Sequence, residues 1–165
     1  ILTNDSELAN QAMHLTTTAK VPQKWEYGHD RVGFNYRLPN INAALGCAQM
    51  EQLPRFLEQK RRLAQTYADA FADVEGVRFF TEPDFAKSNY WLNVLLLDAD
   101  TANLKYDILK ATNDNGFMTR PAWTPMHELP MYRECPRMVL KVTEDLYRRL
   151  INIPSSPGLA EVTGD

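Results

Sequence analysis

Apolar residues recur at three- and four-residue spacing through Leu53, Phe56, Leu57, Leu63, Ala64, Tyr67, Ala70 and Phe71. This period predicts a long amphipathic helix over residues 53–73, ended by Gly76. Its outward positions carry Arg55, Glu58, Lys60, Arg61, Arg62 and Asp69, the pattern of a solvated helix face. Upstream, Asp5 or Ser6 is placed to cap a helix reaching residue 18, and Ile1, Leu2 and Thr3 have the character of the end of a buried strand. Residues 19–38 keep neither a helical nor an alternating period. Pro22, Trp25, Tyr27, Gly28, Gly33, Phe34 and Tyr36 make them a long aromatic loop, a kind more often functional than idle. Pro39 and Asn40 open a second helical run, in which Ala43, Ala44, Gly46 and Ala48 permit close packing.

Beyond Gly76 the period shortens. Residues 77–80 and 90–97 read as strands, 101–113 as a helix stopped by Asn115 and Gly116, and 117–119 as a short strand. Prolines at 121, 125, 130 and 136 then forbid regular structure until a helix over residues 142–150, followed by an extended segment at 151–156. Strand, helix, strand, helix is an α/β or α+β order. The polar tail, residues 157–165, has little to bury and is expected to fray.

The length, 165 residues with 44% hydrophobic content, suits one core with an appendage. The 18 basic and 21 acidic residues nearly cancel, and no basic block exceeds Lys60-Arg61-Arg62, so a nucleic-acid track is set aside. No stretch approaches the ~20 apolar residues of a membrane span. Cys47 and Cys135 have neither disulfide-framework nor zinc-ligand spacing, which fits a reduced cytoplasmic setting and no metal. Residue 1 is isoleucine without signal-peptide features, so the chain reads as a fragment or a processed product.

Two segments could carry chemistry. Residues 33–39, Gly-Phe-Asn-Tyr-Arg-Leu-Pro, offer an amide, a phenol and a guanidinium where a helix N-terminus can hold an anion. A structural Asn-turn with a surface arginine explains that segment equally well. Residues 119–130 place Arg120, Trp123 and His127 on a proline-stiffened loop, which presents side chains at small cost in ordering entropy. A bond from His127 to a backbone carbonyl, and a core anchor at Trp123, are equally open readings. His14 reads as a partly exposed structural residue of its helix, and Met13, Met118 and Met126 as packing residues. Dinucleotide-binding, Walker, serine-hydrolase, zinc-protease and EF-hand patterns are missing.

The run Gly33-Phe34-Asn35-Tyr36-Arg37-Leu38-Pro39-Asn40-Ile41-Asn42-Ala43-Ala44-Leu45-Gly46 resembles the G-x-N-x-R-x-x-x-x-x-A-A-L-G signature of the DegT/DnrJ/EryC1/StrS sugar aminotransferases. Residues 16–22, Arg120-Pro121-Ala122-Trp123 with His127, residues 129–132 and residues 150–156 are similar to the LegC-type branch. The resemblance implies the C-terminal part of an α/β, fold-type-I transferase dependent on pyridoxal 5'-phosphate (PLP). Residues 1–50 would end the large domain, 51–75 connect, 76–156 form a small domain with a short helix-covered sheet, and 157–165 form a tail.

It further implies amino transfer, with glutamate as donor, to C4 of a UDP-linked 4-keto-6-deoxy-N-acetylhexosamine, on routes to bacillosamine or legionaminic acid. The enzyme would be a homodimer. Asn35, with Arg37 beside it, would reach the cofactor phosphate of the neighbouring subunit. Trp25, His29, Tyr36, Arg120, Trp123 and His127 would border the sugar-nucleotide pocket. The lysine that carries PLP would lie upstream of residue 1, so Lys20, Lys24, Lys60, Lys87, Lys105, Lys110 and Lys141 are not assigned that role, no catalytic residue falls in this segment, and the segment alone is expected to be inactive. Two other readings stand beside this one: a PLP-dependent sugar dehydratase with histidine in the lysine's place, and a non-catalytic interaction module with exposed apolar surface.

Overall fold

The computed structural model describes residues 1–25 and 28–162; Tyr27 and residues 163–165 of the tail lie outside them. The chain divides into two compact units, Ile1–Gln52 and Leu53–Asp165.

In the first unit, α1 spans Ser6–Thr16, and the Asp5 carboxylate caps it by accepting from the amides of Glu7 at 2.8 Å and Leu8 at 3.1 Å. Ile1 and Leu2 form no strand; they are 94% and 102% exposed, with no strand beside them among the described residues. The expected irregular loop contains a two-residue antiparallel ladder, β1 (Lys20–Val21) with β2 (Gly28–His29).

The two helical runs expected from residues 39 and 53 are one helix, α2, spanning Asn40–Ala70 through Pro54. Proline has no N–H to give the Met50 carbonyl, a defect of about 3 kcal/mol in an isolated helix. Downstream turns offset it by burying Leu63 and Ala64. The helix ends short of Gly76, which sits at φ +81 with the Thr101 hydroxyl donating to its carbonyl at 2.6 Å.

The second unit is built on a four-stranded antiparallel sheet of order β3 (Val77–Phe79), β4 (Asn93–Leu97), β6 (Leu150–Ile153), β5 (Arg120–Pro121). Leu95 faces Phe79 on one side and Ile151 on the other, which stacks one buried face. Ala64, Tyr67, Ala68 and Phe71 of α2 pack on that face together with Leu109 of α3 (Lys105–Asp114). Asn93 shares the face; its carboxamide is fully buried and has no partner among the described residues. Helix α4 (Lys141–Arg149) passes into β6 without an intervening residue. Where a short strand was expected at 117–119, pairing with β6 begins only at Arg120. The tail does not simply fray: residues Leu159–Val162 form a helical turn, α5, which buries Ala160.

Lys60 and Arg61 depart from the solvated-face expectation, because residues 82–91 and Ser155 fold over them. Lys60 Nζ donates to the carbonyls of Ser155 at 2.6 Å and Trp91 at 3.3 Å, and burial pushes its amine below the usual range. Arg61 grips the Glu82 carboxylate, donates to the Ser88 carbonyl at 2.6 Å and lies over the Tyr90 ring at 5.5 Å. Tyr90, at φ +47, is thereby held in a conformation that a non-glycine residue rarely adopts.

The Arg61 guanidinium and then the Ser88 amide hold the Glu82 carboxyl below its ordinary 4.5. Arg149 does the same to Asp145, below 3.8. A carboxyl depressed in the folded state stabilises above its unfolded value and loses that contribution as pH falls through its folded one. The urea midpoint is therefore expected to fall between pH 5 and the acid range, and Glu82→Gln to flatten that fall while lowering stability at pH 7.

Candidate functional site

Residues 33–36 run antiparallel to the end of α1 and cross its exit at very close range. The Phe34 amide donates to the Leu15 carbonyl at 2.7 Å, the Thr18 amide to the Phe34 carbonyl at 3.1 Å and the Tyr36 amide to the Thr16 carbonyl at 3.0 Å. Thr17 and Asn35 form the bridge at the centre. The crossing turns the chain through Thr18 (φ 69) and Ala19 (φ 51), both left-handed, and buries Ala19 completely. A Cβ at Gly33 would lie 2.4 Å from the Thr18 carbonyl carbon and 2.5 Å from the Ala19 nitrogen, so only glycine fits.

Two histidines lock the same turn. His29 Nδ1 meets the Thr18 carbonyl at 2.7 Å, and His14 Nε2 meets Asp30 Oδ1 at 2.6 Å. That contact lowers the Asp30 carboxyl pKa. His14, expected to be partly exposed and structural, is a tether. His29 is committed through one ring nitrogen, Nδ1.

On this support Asn35, Tyr36 and Arg37 emerge exposed and lead into α2. Tyr36 stacks on Phe34 at 5.3 Å. Neither the Asn35 amide nor the Arg37 guanidinium is engaged by another side chain among the described residues. Tyr36 and Arg37 line an open concavity of about 1110 Å³ with Ile1, Leu2, Met13 and Lys20. Trp25 is 84% exposed, with the Lys24 ammonium 5.2 Å from its ring centre.

In the second unit, Arg120 lies on β5 opposite Asn152 and lines a concavity of about 650 Å³ with Lys60, Trp91 and Ser155. No carboxylate lines it among the described residues, so it favours anions. Trp123 is exposed and meets Trp91 edge-on at 6.3 Å. His127 sits apart from Arg120, in a smaller concavity with Tyr132, Cys135 and Leu140, its Nε2 3.4 Å from Glu144 Oε1. Sequence reasoning missed Lys60, Trp91 and Glu144 as neighbours of these residues. No group of three metal-ligating side chains forms among the described residues, and no helix there is long and apolar enough to cross a membrane.

The model of the DegT/DnrJ/EryC1/StrS aminotransferase family matches residues 1–164. The chain belongs to that family. EpsN of Bacillus subtilis (strain 168), which carries a provisional assignment as a pyridoxal phosphate-dependent aminotransferase, is 34% identical over 98% of this chain and 42% of its own length. GDP-perosamine synthase of Escherichia coli O157:H7 is 33% identical over 97% of this chain and 42% of its own. Among solved structures, Helicobacter pylori PseC, an aminotransferase involved in the biosynthesis of pseudoaminic acid, superposes with a TM-score of 0.78 at 25% identity, covering 95% of this chain and 43% of that one. This family member therefore spans about two fifths of the length of such relatives.

Gly33→Ala is expected to open the crossing at Thr18 and Ala19, with a loss of about 2 kcal/mol or more in urea unfolding. Faster proteolytic cleavage within residues 19–38 should accompany that loss.

Proposed function

We propose that this chain is the C-terminal part of a PLP-dependent aminotransferase that installs an amino group at C4 of a nucleotide-linked 4-keto sugar, in the cytoplasm, for bacterial surface glycans. Residues 1–50 would complete the large domain, 51–75 connect, 76–156 form the small domain, and 157–165 extend from it. The observation that carries the reading is the pair of unengaged donors, Asn35 and Arg37, on a turn clamped from both sides within the family's signature segment.

An exposed amide and guanidinium suit a phosphate, because both direct hydrogen bonds and one adds charge. The lysines fit less well as a covalent anchor. Lys60 and Lys105 spend their amines on backbone carbonyls, and Lys110 pairs with Asp114. Three of the seven lysines are so engaged, and from the family resemblance the PLP-bearing lysine is proposed to lie upstream of residue 1. When bound, PLP supplies the electron sink for the carbanion of amino transfer.

The residues of this chain bind and orient. Asn35 and Arg37 hold the cofactor phosphate, in a homodimer from the neighbouring subunit. Trp25, His29, Tyr36, Arg120, Trp123 and His127 hold the sugar nucleotide, its diphosphate by charge and its flat faces by stacking.

For the substrate we propose a UDP-linked 4-keto-6-deoxy-N-acetylhexosamine with glutamate as donor, on a route to bacillosamine or legionaminic acid. A Helicobacter pylori relative named UDP-4-amino-4,6-dideoxy-N-acetyl-beta-L-altrosamine transaminase, 26% identical, supports UDP. A second reading, a GDP-linked 4-keto sugar, is favoured by the 33% identity to GDP-perosamine synthase.

The test supplies the full-length protein with PLP, glutamate and each nucleotide's 4-keto sugar, and follows conversion of ketone to amine by mass spectrometry. Amine from the UDP substrate is the expected result; amine from the GDP substrate alone selects the second reading, and amine from neither overturns both. Asn35→Ala is expected to weaken PLP retention about tenfold, read by cofactor absorbance after dialysis.

A further inference from the structure

The segment that carries Trp123 and His127 has little regular structure of its own. It leaves β5 at Pro121 and makes two short 3-10 turns, Met126–Glu128 and Pro130–Tyr132, before α4 begins. What holds its first part comes from α4. Glu144 Oε1 stands 3.4 Å from Nε2 of His127, whose ring is 13% exposed. One turn on, the Tyr147 phenol stands 3.5 Å from the Thr124 hydroxyl. Positions three apart on a helix share a face, so Glu144 and Tyr147 address the segment together.

Helix α4 is itself fastened to the rest of the unit. Lys105 of α3 is 2% exposed, and its ammonium donates to the Tyr147 carbonyl at 2.5 Å while lying 4.8 Å from the Tyr147 ring centre. A buried ammonium is costly unless a carbonyl and an aromatic face receive it, and here both do. Arg149, tied to Asp145, donates to the Leu97 carbonyl of β4 at 2.7 Å. A continuous set of contacts therefore runs from the sheet and α3, through α4, to Thr124 and His127.

We propose that Glu144 and Tyr147 are positioning residues for the Trp123–His127 substrate segment, on a helix that Lys105 and Arg149 anchor. This rests on the reading that the segment borders the sugar nucleotide. Neither residue touches the cofactor or the reacting carbon; Glu144 sets where the imidazole stands, and Tyr147, through Thr124, sets the chain between imidazole and indole. Their loss weakens sugar-nucleotide binding and leaves the handling of the amino donor alone.

The test uses the full-length, PLP-loaded protein, with UDP-linked keto sugar binding followed by calorimetry and both substrates' KM by steady-state kinetics. Glu144→Ala and Tyr147→Phe are each expected to weaken sugar-nucleotide binding, and raise its KM, about five- to tenfold. The KM for glutamate, kcat and the cofactor's absorbance should stay within about twofold, because no hydrogen bond to donor or cofactor is lost. Glu144→Gln, which keeps an acceptor for His127, should recover most of the binding. The double variant His127→Ala/Glu144→Ala should bind no more weakly than His127→Ala alone.

If His127→Ala and Trp123→Ala weaken binding while Glu144→Ala and Tyr147→Phe do not, the positioning role is wrong and the substrate site stands. If His127→Ala and Trp123→Ala leave binding unchanged, the segment is not a substrate site and the positioning role falls with it. Equal losses in both KM values and kcat with a lowered melting temperature would mark Glu144 and Tyr147 as general supports, which also overturns the proposal.

Discussion

The second unit depends on the antiparallel pairing of β4 with β6, which brings Asn93–Leu96 against residues 150–153 across more than fifty intervening positions. Closing so long a loop is entropically unfavourable, and burial on the sheet face has to exceed that cost. Leu95, Leu97, Ile151 and Ile153 supply it, with α2 laid across them. Once β6 is in place, β5 has an edge to join, and α4, which enters β6 directly, has its end fixed to within a residue. The segment bearing Trp123 and His127 is thus bracketed by two elements attached to one strand.

The first unit is organised by close approach rather than by a core. Its residues are largely exposed apart from Ala19, and its geometry comes from backbone hydrogen bonds across the Gly33 crossing and from two histidines that hold the turn. This fixes the backbone from which the exposed Asn35 and Arg37 side chains extend, without burying them.

Much of this was legible in the residues. Asp5 as a cap, the period behind the second half of α2, the apolar run in β4 and the family signature at Gly33 all follow from local pattern, and local pattern survives folding when the environment agrees with it. What was not legible depends on distant partners. The helical runs from residues 39 and 53 read as two until the packing of the following turns joins them through Pro54. Lys60 and Arg61 read as solvated until residues 82–91 and 155 fold over them. Ala160 reads as part of a loose tail until α5 docks. In the candidate site, the residue types at Asn35, Arg37, Arg120, Trp123 and His127 announced polar recognition. The separation of His127 from Arg120, and the role of α4 behind it, required the path of a proline-rich segment that carries no period.

The direct passage of α4 into β6 also bears on how such a chain can diverge. A residue inserted at that junction would rotate every side chain of α4 against the segment it faces, or slip β6 by one register and turn Ile151 and Ile153 outward. Between β5 and α4 there is no such penalty, because both ends are moored and the middle is exposed. Lineages that change length there would alter the reach of the indole and imidazole while the sheet beneath stays the same.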